Sequence, residues 1–199
     1  PSLSETVQNE LIHRTCRQVD GRVPVLVGIT NTCFDTSIKT AWTAQQNGAN
    51  AVVLSTPYYF GLSQQDLAAY TKKLLGRIEL PVFLYNIPSC TKVWFELSTL
   101  RELMNCPQII GLKDSSADMI YLQQAYQLAV RHRPDWSVLI GPEELLAEAV
   151  LTGINGGVSG GANLFPQLYV ELYQAAMERR TDCIQSLQNI VLEVSSSIY

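Results

Sequence analysis

Two residues, Lys113 and Tyr85, stand out by type and setting as able to do chemistry. Lys113 ends the apolar run Ile109-Ile110-Gly111-Leu112, and Tyr85 ends Pro81-Val82-Phe83-Leu84. Side chains alternate across a strand, so Lys113 shares a face with Gly111 and Tyr85 with Phe83. Ile110, Leu112, Val82 and Leu84 take the opposite faces. If those aliphatic residues pack on helices, Lys113 and Tyr85 project from neighbouring strands at matching heights, and Gly111 leaves space below the lysine stem. An amine attacks a carbonyl only when unprotonated, and an apolar wall disfavours its charged form. This placement therefore suits a lysine that forms an imine. The alternatives are a lysine that ends a strand and snorkels to solvent, and a tyrosine that fills the top of a core with its hydroxyl on a backbone carbonyl.

The elements that would hold these residues alternate along the chain. From Val23 onward, short β-rich runs and longer stretches of helical periodicity recur about every 27 residues, a natural length for one strand-helix unit. Six strands are expected, over 24–29, 51–55, 81–85, 108–113, 137–140 and 157–160. Amphipathic helices are expected over 37–47, 63–75, 97–104, 119–130, 144–151, 167–178 and 182–195, the second opened by the Ser63-x-x-Asp66 box. A further helix precedes the first strand, with Ser2 and Glu5 at the spacing of a capping box. This pattern is parallel α/β, either an open doubly wound sheet or a barrel. Six strands are too few to close an eight-stranded barrel, and an opening helix is what remains if two strand-helix units come before it. No G-x-G-x-x-G follows the first strand, which argues against a dinucleotide site.

Composition excludes several classes. The 199 residues are 47% hydrophobic and 16% charged, ordinary for one globular domain. A net charge of -4 without a basic run leaves no footprint for nucleic acid. The apolar runs are far shorter than the ~20 residues of a membrane span. Five cysteines with no C-x-x-C spacing suggest neither zinc knuckle nor disulfide framework, and so a cytoplasmic setting. His13 and His132 are too few and too far apart for a three-histidine metal site.

Tyr85-Asn86-Ile87-Pro88, followed by Ile110-Gly111-Leu112-Lys113-Asp114-Ser115, resembles the dihydrodipicolinate synthase and N-acetylneuraminate lyase family. These are pyruvate-handling class I aldolases on a (β/α)8 TIM barrel. The likeness extends over nearly the whole chain. Val23-Pro24-Val25 with Gly28 is similar to the third strand, and Asn47-Gly48-Ala49-Asn50-Ala51 with Thr56-Pro57-Tyr58-Tyr59 to the fourth. Gly153, Gly156, Val158, Ser159, Ala162 and Asn163 are similar to the eighth. The resemblance implies that residues 1–199 form one incomplete barrel, strands three to eight plus the start of the carboxyl-terminal helices, with the first two strands absent.

It also implies roles. Lys113 would form the imine with a 2-keto acid, with no cofactor beyond that covalent imine, and Tyr85 would relay protons. Tyr59 would lie at a contact between subunits of a homodimer or homotetramer and complete the relay there. Val158 would touch substrate through its backbone. Two departures matter. The family's Gly-x-x-Gly-Thr-Thr-Gly-Glu segment, which holds the keto-acid carboxylate, is expected ahead of Pro1 and is absent. Cys90 stands where synthases acting on aspartate semialdehyde carry an arginine, and cysteine cannot make that bidentate pair.

The expected activity is therefore a lyase or synthase joining or separating pyruvate and a hydroxylated aldehyde, as in a sugar-acid aldolase or dehydratase. Glu143 or Glu144 would meet a substrate hydroxyl, unless they only complement a helix dipole. Cys90 is a specificity contact or a small apolar loop residue. The alternatives are 4-hydroxy-tetrahydrodipicolinate synthase and a non-catalytic barrel that binds a keto acid. The stretch Gly156-Gly157-Val158-Ser159-Gly160-Gly161 could instead cradle a phosphate, or serve close packing at a barrel end.

Overall fold

Ser4 opens the first helix, α1 (Glu5–Val19), by accepting a hydrogen bond from the Val7 N–H. The capping box expected from Ser2 falls outside the described residues, which in this computed structural model are 3–198. The chain divides into two compact units, Pro1–Ile110 and Gly111–Tyr199.

In the first unit three parallel strands, β1 (Leu26–Gly28), β2 (Ala51–Ser55) and β3 (Val82–Asn86), lie side by side. Their register places Gly28 beside Val53, Val53 beside Phe83, and Ser55 beside Tyr85. Alternation gives this sheet one sealed face, where Val27, Val52, Leu54, Val82 and Leu84 are all buried. The apolar stripes of α2 (Phe34–Gln46) and α3 (Gln64–Leu75) are buried too, through Ile38 and Ala41 and through Leu67 and Leu74. Each fully buried aliphatic side chain contributes about 1.5–3 kcal/mol. Leu26 and Gly28 on the other face are exposed.

Helix ends follow local rules. Ser63 caps α3 by accepting from the Asp66 N–H at 3.1 Å, the serine half of the expected box, and its hydroxyl donates to the Asp66 carboxylate at 2.6 Å. Gly48, just past α2, takes a left-handed φ of 81°, which a residue without Cβ adopts at no steric cost. Asn50 then extends the ladder below β2, its side chain accepting from the Val25 N–H. Sequence periodicity misses α4 (Pro88–Thr91), a single turn opened by proline. The unit continues through α5 (Leu97–Leu103).

The second unit holds β4 (Ile109–Asp114) from Gly111 onward, β5 (Ser137–Ile140) and β6 (Gly156–Gly157), again parallel between β4 and β5 and between β5 and β6. The last strand is two residues long where four were expected. Helix α6 (Met119–His132) is capped by Asp118, and a 3₁₀ turn over Glu143–Leu145 leads into α7 (Leu146–Leu151). Helices α8 (Pro166–Met177) and α9 (Thr181–Ile198) complete the unit. Gln188 and Ser195 of α9 hold Glu144, the former through its carbonyl oxygen at 2.8 Å and the latter through its carboxylate.

Candidate active site

Lys113 lies at the carboxyl end of β4 with alternating burial around it. Leu112 and Asp114, on one side of the strand, are each 1% exposed, and their register partners Val138 and Ile140 are equally sealed. Lys113 and its partner Leu139 share the other side and are half-buried, above buried Gly111. The lysine is thus partly withdrawn from solvent at the end of the strand.

The residues after it make a tight turn. Asp114 accepts from the Ser116 hydroxyl at 2.8 Å. Ser115 packs so closely on Gly141 that a Cβ there would overlap the serine hydroxyl. The Gly141 N–H donates to the Asp114 carbonyl at 2.6 Å, carrying the ladder past both strand ends. Burial, helped by the nearby Asp114 carboxylate, pushes the Tyr121 phenol far above its usual range.

In the first unit, Tyr85 is half-buried at the end of β3 and lines a cavity of about 620 Å³. The same cavity is lined by Thr30, Ser55, Tyr58 and Cys90. None of its lining residues is Lys, Arg, His, Asp or Glu. Cys90 is exposed on α4, its sulfur 3.9 Å from the Ser89 hydroxyl. The loop that carries it is clamped by Asn86, which is fully buried and accepts from the Phe95 N–H, and by Thr91, which donates to the Val93 carbonyl.

Tyr59 is 86% exposed, at a left-handed φ of 86°, with its ring edge-on to Phe60 at 4.9 Å. A non-glycine residue with that backbone is strained, an arrangement that clusters at functional segments. Val158 donates its N–H to the Ile140 carbonyl at 2.9 Å, so a backbone contact with a ligand falls to its carbonyl.

Glu143, expected to meet a substrate hydroxyl or to complement a helix dipole, makes two hydrogen bonds within the protein. It is 3% exposed, and both carboxylate oxygens are engaged, one by the Tyr169 hydroxyl at 2.7 Å and the other by the Gly161 N–H at 2.8 Å. A Cβ on Gly161 would overlap the Tyr169 hydroxyl, so the glycine is required by close approach. The carboxylate tethers the end of the Gly156–Gly161 stretch to α8, which leaves it no oxygen that is not already bonded within the protein. The sequence carries one signal for this, the glycine itself, but not its partner.

The described residues contain no group of three or more His, Cys, Asp or Glu side chains placed to hold a metal ion. Nor is any helix among them long and apolar enough to cross a membrane.

Known proteins supply an independent comparison. A profile of the dihydrodipicolinate synthetase family matches residues 1–199. The chain is 33% identical over 177 residues to a 4-hydroxy-tetrahydrodipicolinate synthase of Staphylococcus carnosus, covering 87% of this chain and 58% of that protein. It is 34% identical over 161 residues to the probable 2-dehydro-3-deoxy-D-pentonate aldolase of Escherichia coli, covering 80% and 54%. Among solved structures, a dihydrodipicolinate synthase of Bacteroides thetaiotaomicron superposes with a TM-score of 0.94 at 45% identity, over 100% of this chain and 66% of that one. A prophage protein of Escherichia coli K12, solved in complex with pyruvate, superposes with a TM-score of 0.91 at 28% identity, over 98% and 65%. The chain therefore spans between about half and two-thirds of the length of these relatives. With α/β architecture, parallel strands and a family match along its entire length, this chain belongs to the dihydrodipicolinate synthetase family.

Proposed function

We propose that the protein is a class I lyase or synthase of the pyruvate-dependent kind, in which Lys113 forms an imine with the keto carbon of a 2-keto acid. The observation that carries this reading is the setting of Lys113, half-buried at the carboxyl end of β4 between Leu112 and Asp114, each 1% exposed. The amine adds to the carbonyl, water leaves, and the protonated imine withdraws the electron pair of the breaking carbon-carbon bond to give an enamine. In the cleavage direction the hydroxyl proton of the substrate passes to Tyr85, and an aldehyde departs. Protonation of the enamine and hydrolysis then release pyruvate and the free lysine. Synthesis runs the same steps in reverse, with Tyr85 donating to the forming alkoxide.

The aldehyde is read as uncharged and hydroxylated. Among the described residues that line the cavity beside Tyr85, Cys90 offers no bidentate donor set for a second carboxylate. A second reading, 4-hydroxy-tetrahydrodipicolinate synthase, draws support from the 45% identity to the Bacteroides thetaiotaomicron synthase structure. The exposed pair Tyr59 and Phe60 suits a contact between copies of the chain, across which Tyr59 would extend the proton relay.

Borohydride reduction in the presence of pyruvate, followed by peptide mass mapping, tests the proposal. A stable adduct on Lys113 is expected, and no adduct there, or one on another lysine, refutes it. Comparing aspartate semialdehyde with glyceraldehyde as partner separates the two readings. An adduct without turnover of either identifies a keto-acid binder.

A further inference from the structure

Thr30 and Ser55 form a hydroxyl pair that no part of the reaction above uses. They sit at the carboxyl ends of β1 and β2, and Ser55 lies in register with Tyr85 on the adjacent strand. The Thr30 Oγ1 accepts from the Ser55 N–H at 2.8 Å, standing in for the backbone carbonyl that would continue the ladder beyond the bond from Ile29 N–H to Val53 O. The same oxygen is 3.1 Å from the Ser55 Oγ. Both residues line the 620 Å³ cavity, although Ser55 is only 6% exposed.

Counting donors and acceptors defines what the pair offers. Each hydroxyl has one proton and two lone pairs. The Ser55 N–H occupies one lone pair, and the hydroxyl-hydroxyl bond consumes one proton and one lone pair. Because the Ser55 hydroxyl donates to Thr30, both Thr30 lone pairs are filled, and the Thr30 proton and the two lone pairs of Ser55 are left. A donor beside acceptors, with no formal charge, matches an alcohol, which both gives and takes a hydrogen bond. It is a poor match for a carboxylate, which only accepts.

We propose that Thr30 and Ser55 form a subsite for a hydroxyl group of the aldehyde portion of the substrate, with Thr30 orienting Ser55 and Ser55 reading the hydroxyl. This inference rests on the reading of the protein as a keto-acid lyase or synthase, and it deepens that reading by assigning the hydroxyl preference to two residues. A site built to bond a substrate hydroxyl discriminates against the analogue that lacks it.

The test compares condensation of pyruvate with glyceraldehyde and with propanal, which has the same carbon chain without hydroxyls. In Ser55→Ala the ratio of kcat/KM for glyceraldehyde to that for propanal is expected to fall by about tenfold or more. Ser55→Cys, similar in size but a weak acceptor, should show the same direction and guards against loss of folding in the alanine variant. A ratio within about twofold of the parent in a folded variant overturns the subsite. Borohydride trapping of the parent protein with pyruvate keeps the two ideas apart. If the parent gives no Lys113 adduct, the lyase reading fails. The subsite is then decided by equilibrium binding of an unreactive five-carbon aldonate to parent and Ser55→Ala protein. Weakening by about tenfold supports it, and equal binding overturns it.

Discussion

Replacing Glu143 tests whether the tether seen in the second unit carries the energy its geometry implies. In Glu143→Ala the buried Gly161 N–H and Tyr169 hydroxyl both lose their acceptor. Each buried donor left unpaired costs about 1–3 kcal/mol, and removing the side chain adds lost packing. The two neutral donors together give about 2–6 kcal/mol before packing is added. Glu143→Gln is expected to be milder. Its amide oxygen can keep the Gly161 bond, and its amide nitrogen can donate to the Tyr169 oxygen, which is able to accept as well as donate. The loss is then mainly charge assistance, about 1–2 kcal/mol. Tyr169→Phe removes one donor from a buried carboxylate and should cost about 1.5–3 kcal/mol. Urea unfolding of the three variants gives the order directly from the midpoints, provided the denaturant slope is unchanged. An alanine variant as stable as the glutamine variant, or one that loses less than about 1 kcal/mol, would refute the reasoning. It would mean that water replaces the carboxylate and that the site is wetter than 3% exposure implies.

Tyr85→Phe is expected to retain the borohydride-trapped imine while slowing turnover by about 10²-fold or more, since the nucleophile remains and the proton relay is lost. Equal turnover in a single-turnover assay would leave Tyr85 as packing alone. Tyr121 titrates upward on folding because it is buried, and the Asp114 carboxylate adds to the effect. Below about pH 10 the phenol is neutral in both folded and unfolded chains, so its contribution to stability is fully present. Above that value the unfolded chain releases the proton and the folded one retains it. Stability should therefore fall with rising pH, at up to about 1.4 kcal/mol per pH unit from this group. Unfolding free energies between pH 9 and 11 in parent and Tyr121→Phe protein check this, and an identical slope in the two would exclude Tyr121 as the source.

Strand alternation was legible because it is local. A period of two places Gly111 and Lys113 together whatever surrounds them, and the same rule pairs Phe83 with Tyr85. Ser63 with Asp66 was equally legible, since both halves of a capping box lie within one turn. The cap at Ser4 was not read from the sequence, because its partner three residues on is Val7 and the Ser-x-x-Glu spacing is absent there. The turn Pro88–Thr91 was missed because four residues are too few to show helical periodicity. The expected strand over 157–160 shortened to Gly156–Gly157; the Val158 N–H still meets the Ile140 carbonyl, and by Gly161 the backbone N–H is bonded to Glu143 instead.

By itself the sequence determined the alternation of strands and helices, which residues share a side with Tyr85 and with Lys113, and the family of the chain. These depend on neighbours a few residues away, or on an ordered set of motifs. Only the tertiary structure decided which polar groups are already spent. Glu143 meets Tyr169 26 residues later, Thr30 meets Ser55 25 residues later, and Asn86 holds the N–H of Phe95 across a turn. A carboxylate or hydroxyl looks equally available in a sequence whether it faces a substrate or a buried donor. The difference lies in the low-dielectric interior, where a polar group must find a partner, and partners come from whichever segments the fold brings near.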